Sequence, residues 1–170
     1  LLTPSQKNPA RIGLADEFIV CSVSGQRLLR DEAVVSALSG RWVDNSIAKS
    51  SSVSGRTALP SEIITCEESG AAILPDESDV CRASGKRVDK RLLGKSALSG
   101  EQALSRLLLV CPETMKRGME AELQRCQVSG LLVAPDALAR CELTNQLVLK
   151  RLLVKCALSG RQILRDHAVK

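Results

Sequence analysis

The chain has 170 residues, 44% hydrophobic and 25% charged, which is enough for a buried core of ordinary size. Phe18 and Trp42 are its only aromatic residues, which excludes a core filled by large rings and points to a thin one built from Leu, Val, Ile and Ala. The net charge of +5 is uneven: residues 1–85 carry 8 basic and 11 acidic side chains (−3) and residues 86–170 carry 16 and 8 (+8), so an acidic partner for the second half is expected.

No apolar run approaches the roughly 18 residues that span a bilayer. No charged-then-apolar leader with a small-residue cleavage site stands at the start of the chain.

The seven cysteines, Cys21, Cys66, Cys81, Cys111, Cys126, Cys141 and Cys156, are separated by multiples of fifteen. Random placement among fifteen phases would do this roughly once in ten million trials, so the period is real. Counting each Cys as position 1, units begin at residues 6, 21, 36, 51, 66, 81, 96, 111, 126, 141 and 156. They form a single array over 6–170, and residues 1–5 are expected to be the remnant of a preceding unit. Ser36, Ser51 and Ser96 fill the slots that lack Cys.

Taken along the chain, each unit divides into parts. The third position is mostly Val or Leu, as in Val23, Leu38, Val128 and Leu158, and Ser or Thr follows in all ten units from Ser24 to Ser159. Next comes Gly25, Gly40, Gly55, Gly70, Gly85, Gly100, Gly130 or Gly160, with Met115 and Asn145 as exceptions. Gly adopts the positive φ of a tight turn without penalty and Asn is a good substitute, so only the turn at Met115 is expected to be distorted.

Positions 8 and 9 are apolar in most units, as in Leu28-Leu29 and Ile73-Leu74, and a strand on each side of Ser-Gly predicts a small hairpin. Asp or Ser follows at Asp16, Asp31, Ser46, Ser61, Asp76, Asp136 and Asp166, in the manner of a helix N-cap. The stretches EAVV, EIIT, ALAR and LLVK then predict about one helical turn, too short to stand alone. The expected fold is an α+β tandem repeat, a solenoid-like stack of eleven units that share an apolar seam.

Three roles are open for the cysteine column. Exchange with Ser suggests a small residue stacked inside the array. Cys-x-x-Ser/Thr-Gly is also the shape of a degenerate zinc knuckle, and Cys111, Cys126, Cys141 and Cys156 are the only gap-free run of four thiols. The third role is disulfides, but an odd count and the missing export signal favour a reducing, cytoplasmic compartment.

The units CSVSGQRLLRDEAVV and CRASGKRVDKRLLGK resemble tandem Cys-x-Val-Ser/Thr-Gly repeats of some large bacterial proteins. The resemblance spans the array and implies a structural unit. It brings no catalytic, cofactor or binding residue with it.

No catalytic constellation converges in this sequence: His167 is the only histidine, the Asp-Glu pairs recur at capping positions, and every Ser-Gly belongs to the repeat. A non-enzymatic scaffold or protein-interaction module without a cofactor is therefore expected, as a component of a larger assembly, since neither end carries an obvious polar cap.

The expected contact residues are the basic row at position 15, Lys95, Arg125, Arg140, Lys155 and Lys170, together with Lys86, Arg87, Lys116 and Arg117. Such a row suits an acidic protein surface or, alternatively, a phosphate backbone. A degenerate zinc-binding array is the second alternative.

Overall fold

The computed structural model describes residues 2–167. Among them the regular structure consists of eleven two-stranded antiparallel hairpins and short 3-10 turns. No described helix is long and apolar enough to cross a membrane. The chain divides into two compact bodies, Leu1–Val80 with Lys86–Lys90 and Cys81–Gly85 with Arg91–Lys170.

Seven of the hairpins join positions 13–15 of one unit to positions 7–9 of the next, three shorter ones join positions 14–15 to positions 7–8, and the first sets Leu2–Pro4 against Ile12–Leu14. Phe18–Val20 pairs with Arg27–Leu29 in the first body, and Leu138–Arg140 pairs with Leu147–Leu149 in the second. Between the strands the Gly25 amide donates to the Cys21 carbonyl (2.9 Å), and the Cys21 amide donates to the Gln26 carbonyl (2.9 Å). This closure needs a left-handed residue at position 5, where Gly25 has φ +71°.

Asn145 and Met115 adopt the same conformation, at φ 58° and 57°. The turn expected to be distorted is intact, with the Met115 amide on the Cys111 carbonyl at 2.8 Å. The hairpin bonds hold Met115 there against a cost of about 1–2 kcal/mol.

The expected helical turn is absent, and the α+β assignment is corrected to β with 3-10 turns. Only positions 10–12 coil, as in Arg30–Glu32 and Pro135–Ala137, and Asp31 and Asp136 lie inside that turn rather than before it. The last residues of EAVV, EIIT, ALAR and LLVK are strand: Ala33–Val35, Ile64–Thr65, Leu138–Arg140 and Leu153–Lys155. One isolated helical turn has too few hydrogen bonds to persist, whereas these residues find a partner strand in the next unit.

At the N-terminus Ser5, one residue before the start given by the spacing, takes the slot. Its amide donates to the Arg11 carbonyl (2.8 Å) across a turn one residue longer than the others. Thr3 lies opposite Gly13 in a hairpin of Leu2–Pro4 with Ile12–Leu14.

The core lies at positions 1, 8 and 9. Leu28, Cys66, Ile73, Leu74 and Val88 are fully buried in the first body, as are Cys111, Val133, Cys141, Val148 and Leu149 in the second. Successive units are joined by backbone bonds from the position-2 amide to the position-7 carbonyl one unit on, as in Ser22 to Trp42 (2.9 Å) and Gln127 to Leu147 (3.0 Å). Pro112 at position 2 has no N–H to donate.

Candidate functional site

The recurrent chemistry of the array lies at the junctions between units, around one amide. The position-9 N–H opens the turn at positions 10–12 and has no backbone partner within it. Its residue is buried in every unit but the first, where Leu14 is exposed, so the amide needs an acceptor. Two solutions alternate along the chain.

In five units the acceptor is Glu at position 12, reaching back to its own turn: Leu14 to Glu17 (2.7 Å), Leu29 to Glu32 (3.0 Å), Leu59 to Glu62 (3.1 Å), Leu74 to Glu77 (3.0 Å) and Met119 to Glu122 (2.7 Å). In the other six the acceptor is the thiol of the preceding unit. Asp89 donates to Cys66 Sγ at 3.4 Å, Leu104 to Cys81 at 3.2 Å and Ala134 to Cys111 at 3.2 Å. The amides of Asp44, Leu149 and Leu164 do the same for Cys21, Cys126 and Cys141.

The slot residue and the cap residue one unit on are matched. Ser5, Ser36, Ser51 and Ser96 donate their hydroxyls to Glu32, Glu62, Glu77 and Glu122. After Cys21, Cys66, Cys81, Cys111, Cys126 and Cys141, the residues 26 further on are Ile47, Leu92, Leu107, Ala137, Leu152 and His167. Ser always meets Glu, and Cys never does.

Exchange of Cys with Ser is therefore not free exchange between small residues. A seryl oxygen is too short to reach the amide of the next unit and is always accompanied by a carboxylate that does.

Each slot is also polarised by its own turn. The amides of Leu38 and Ser39 donate to Ser36 Oγ at 3.2 and 3.3 Å. In the thiol version the hydroxyl and amide of position 4 and the amide of position 3 converge on sulfur, favouring its anion. Burial pushes the Cys21 thiol up, but the bonds from Ser24, Asp44 and Val23 bring it down to about 7. Cys141, led by the Thr144 hydroxyl, likewise falls to about 7.

In the carboxylate version burial pushes Glu77 up, yet Ser51, Ser54, the Leu74 amide and Arg56 bring it down to about 2.

A basic residue at position 6 closes some junctions from outside. Arg56 contacts Asp76 (2.8 Å) and Glu77 (3.0 Å), Arg11 contacts Asp31 (2.6 Å), and Lys116 contacts Asp136 (2.6 Å).

The structure places the basic residues expected from the sequence at the turn ends of the hairpins. Lys86, Arg87, Lys95, Lys116, Arg117, Arg125, Arg140 and Lys155 are all exposed, and Lys170 lies outside the described residues. Several are engaged within the chain: Lys86 with Glu68 (3.7 Å), Arg87 with Ser78 Oγ (3.3 Å), Arg125 with the Gly130 carbonyl (3.1 Å) and Arg140 with Asn145 Oδ1 (3.2 Å). Beside them on the turn tips are apolar side chains that sequence reasoning did not single out as a surface: Val128 is 50% exposed, Leu143 59% and Leu158 98%.

The seven cysteines are free thiols. Cys111, Cys126, Cys141 and Cys156 each sit in the turn of a separate unit. Among the described residues no three Cys, His, Asp or Glu side chains are grouped as metal ligands. No protein-family model, no curated protein and no solved structure matches the chain.

Proposed function

We propose that this protein is a non-enzymatic, solenoid-like scaffold that binds other protein surfaces, its own copies included, through the turn tips of its hairpins. The carrying observation is the exposed apolar side chain at position 3 in three consecutive units, Val128, Leu143 and Leu158, each preceded by a basic residue at Arg125, Arg140 or Lys155. Exposed aliphatic groups that recur beside cations suit a partner surface with apolar and acidic character. The polar chemistry of the junctions is spent on holding units together, which is what a scaffold requires.

Light scattering on the purified chain tests the reading. A mass above one chain is expected, falling towards the monomer in the variant V128S/L143S/L158S; a stable monomer for the unaltered chain counts against it.

A second reading rests on the charge of +8 in residues 86–170. A nucleic-acid module would bind duplex at low salt and lose affinity steeply as salt is added. Absence of binding at low salt removes that reading.

A further inference from the structure

Three of the four Ser–Glu junctions have an arginine at position 6: Arg11, Arg41 and Arg56. In two of them the guanidinium approaches the free oxygen of the capping carboxylate, Arg56 Nη2 lying 3.0 Å from Glu77 Oε1 and Arg11 Nη1 3.8 Å from Glu32 Oε1. In the third, Arg41 acts on Glu62 through its charge.

The fourth junction, Ser96 with Glu122, differs. Position 6 is Glu101 and position 11 is Ala121, so the cation is replaced by a carboxylate and the neighbouring acid by a methyl group. The Glu122 carboxylate still accepts from Ser96 and the Met119 amide through Oε2 and is favoured by the Ser99 hydroxyl, but its Oε1 is buried with no hydrogen-bond partner within geometric reach.

A cavity of about 670 Å³ lies here, lined among others by Glu101, Leu107, Met119, Glu120 and Glu122. The equivalent cleft at the first junction is about 370 Å³ and is lined by Arg11, Glu17, Leu29, Arg30 and Asp31. Its two arginines correspond to Glu101 and Glu120, so a cleft whose charges balance at the first junction is larger and carries an excess of carboxylates here. Arg82 reaches Glu101 from the rim (Nε to Oε2 3.2 Å) and is itself 70% exposed.

We propose that this cavity binds the side chain of an arginine supplied by a partner polypeptide. The guanidinium would take the seat that Arg56 fills at its own junction, against Glu122 Oε1 and Glu101, and the methylene stem would lie on Leu107 and Met119. A planar fork of donors matches two carboxylates, which an ammonium does less well. The assignment rests on the protein-interaction reading only for the source of the arginine.

Met119 and Met115 are the only methionines. Met119 lines the cavity and Met115 is 74% exposed on a turn outside it, so ¹³C-methyl labelling of methionine in the full chain gives a reporter and a control.

Titration with the blocked tripeptide Ala-Arg-Ala at constant ionic strength should shift the Met119 methyl saturably in the millimolar range and leave Met115 in place. The citrulline tripeptide, neutral and of similar shape, should bind at least tenfold more weakly. Glu101→Arg, which installs the guanidinium within the chain, should weaken binding at least tenfold, with an unmoved Met115 methyl reporting an intact fold; Glu101→Gln should weaken it less. The idea is overturned by an unresponsive Met119, by equal binding of the citrulline peptide, or by undiminished binding in folded Glu101→Arg. Agmatine binding as tightly as the tripeptide overturns the polypeptide source. Val128, Leu143 and Leu158 are unchanged throughout, so the light-scattering result stands or falls separately.

Discussion

Residues 36–80 and residues 111–164 are built from the same hairpin and join their units by different chemistry. In the first region Ser36 and Ser51 hand their hydroxyls to Glu62 and Glu77, and the carboxylates cap the next turn. In the second, Cys111, Cys126 and Cys141 accept that amide directly, with Ala137, Leu152 and His167 where the Glu would stand. One buried N–H imposes the same demand on both regions. A thiol meets it with one polarisable atom; a hydroxyl meets it only together with a carboxylate, which in turn attracts arginine. Sulfur gives a compact joint made at one atom, and oxygen gives an extended network that draws in a carboxylate and arginine.

The sharpest way to break the comparison is to remove the carboxylate from the first region. Glu77→Leu leaves the Leu74 amide and the Ser51 hydroxyl without their acceptor and Arg56 without one of its two carboxylates. A loss of about 3 kcal/mol is expected from two stranded polar groups, read as a lower denaturation midpoint and faster hydrogen exchange at Leu74. Cys111→Ser, in the second region, strands only the Ala134 amide and should cost about 2 kcal/mol. Adding Ala137→Glu to that variant rebuilds the oxygen joint and should recover more than half of the loss, although Ala137→Glu alone destabilises. A double-mutant cycle that is additive within about 0.5 kcal/mol would refute the matching rule.

Titration separates the two joints further. The Glu77 carboxyl is lowered from 4.5 to about 2 on folding, so its contribution is fully present above pH 4.5 and is lost as pH falls through about 2. The Cys141 thiol is lowered from 9.0 to about 7, so its contribution is full above pH 9 and is lost as pH falls through about 7. Urea midpoints under reductant should rise between pH 7 and 9, and Cys141→Ala should flatten that rise. An unchanged slope in the variant would assign the alkaline gain elsewhere. The smallest effect concerns the left-handed turn position that both regions share: Met115→Gly relieves the one such residue, among the described residues, that is neither Gly nor Asn, and should stabilise by about 1 kcal/mol.

Part of the junction chemistry was legible before the fold was known. Ser36 stands 26 residues before Glu62, Ser51 before Glu77 and Ser96 before Glu122, and comparing slots with caps one unit on exposes the match. The slots alone do not reveal it, because Cys and Ser are similar in size and their hydrogen-bond reach is expressed only against a neighbour. The helical expectation failed for a related reason. EAVV and LLVK satisfy helix and strand patterns equally over four residues, and the strand they pair with lies beyond the turn.

The sequence by itself determined the fifteen-residue period, the Ser-Gly turns and the apolar pair at positions 8 and 9. These depend on properties of single residues or close neighbours: the φ freedom of Gly and Asn, and the burial preference of Leu, Ile and Val. Only the tertiary structure decided that positions 13–15 are strand, that Asp31 and Asp136 lie within their turns, and that the cysteine column is a row of acceptors. Each of those outcomes depends on a partner in the adjoining unit, where an unpaired strand or a buried amide finds its hydrogen bond.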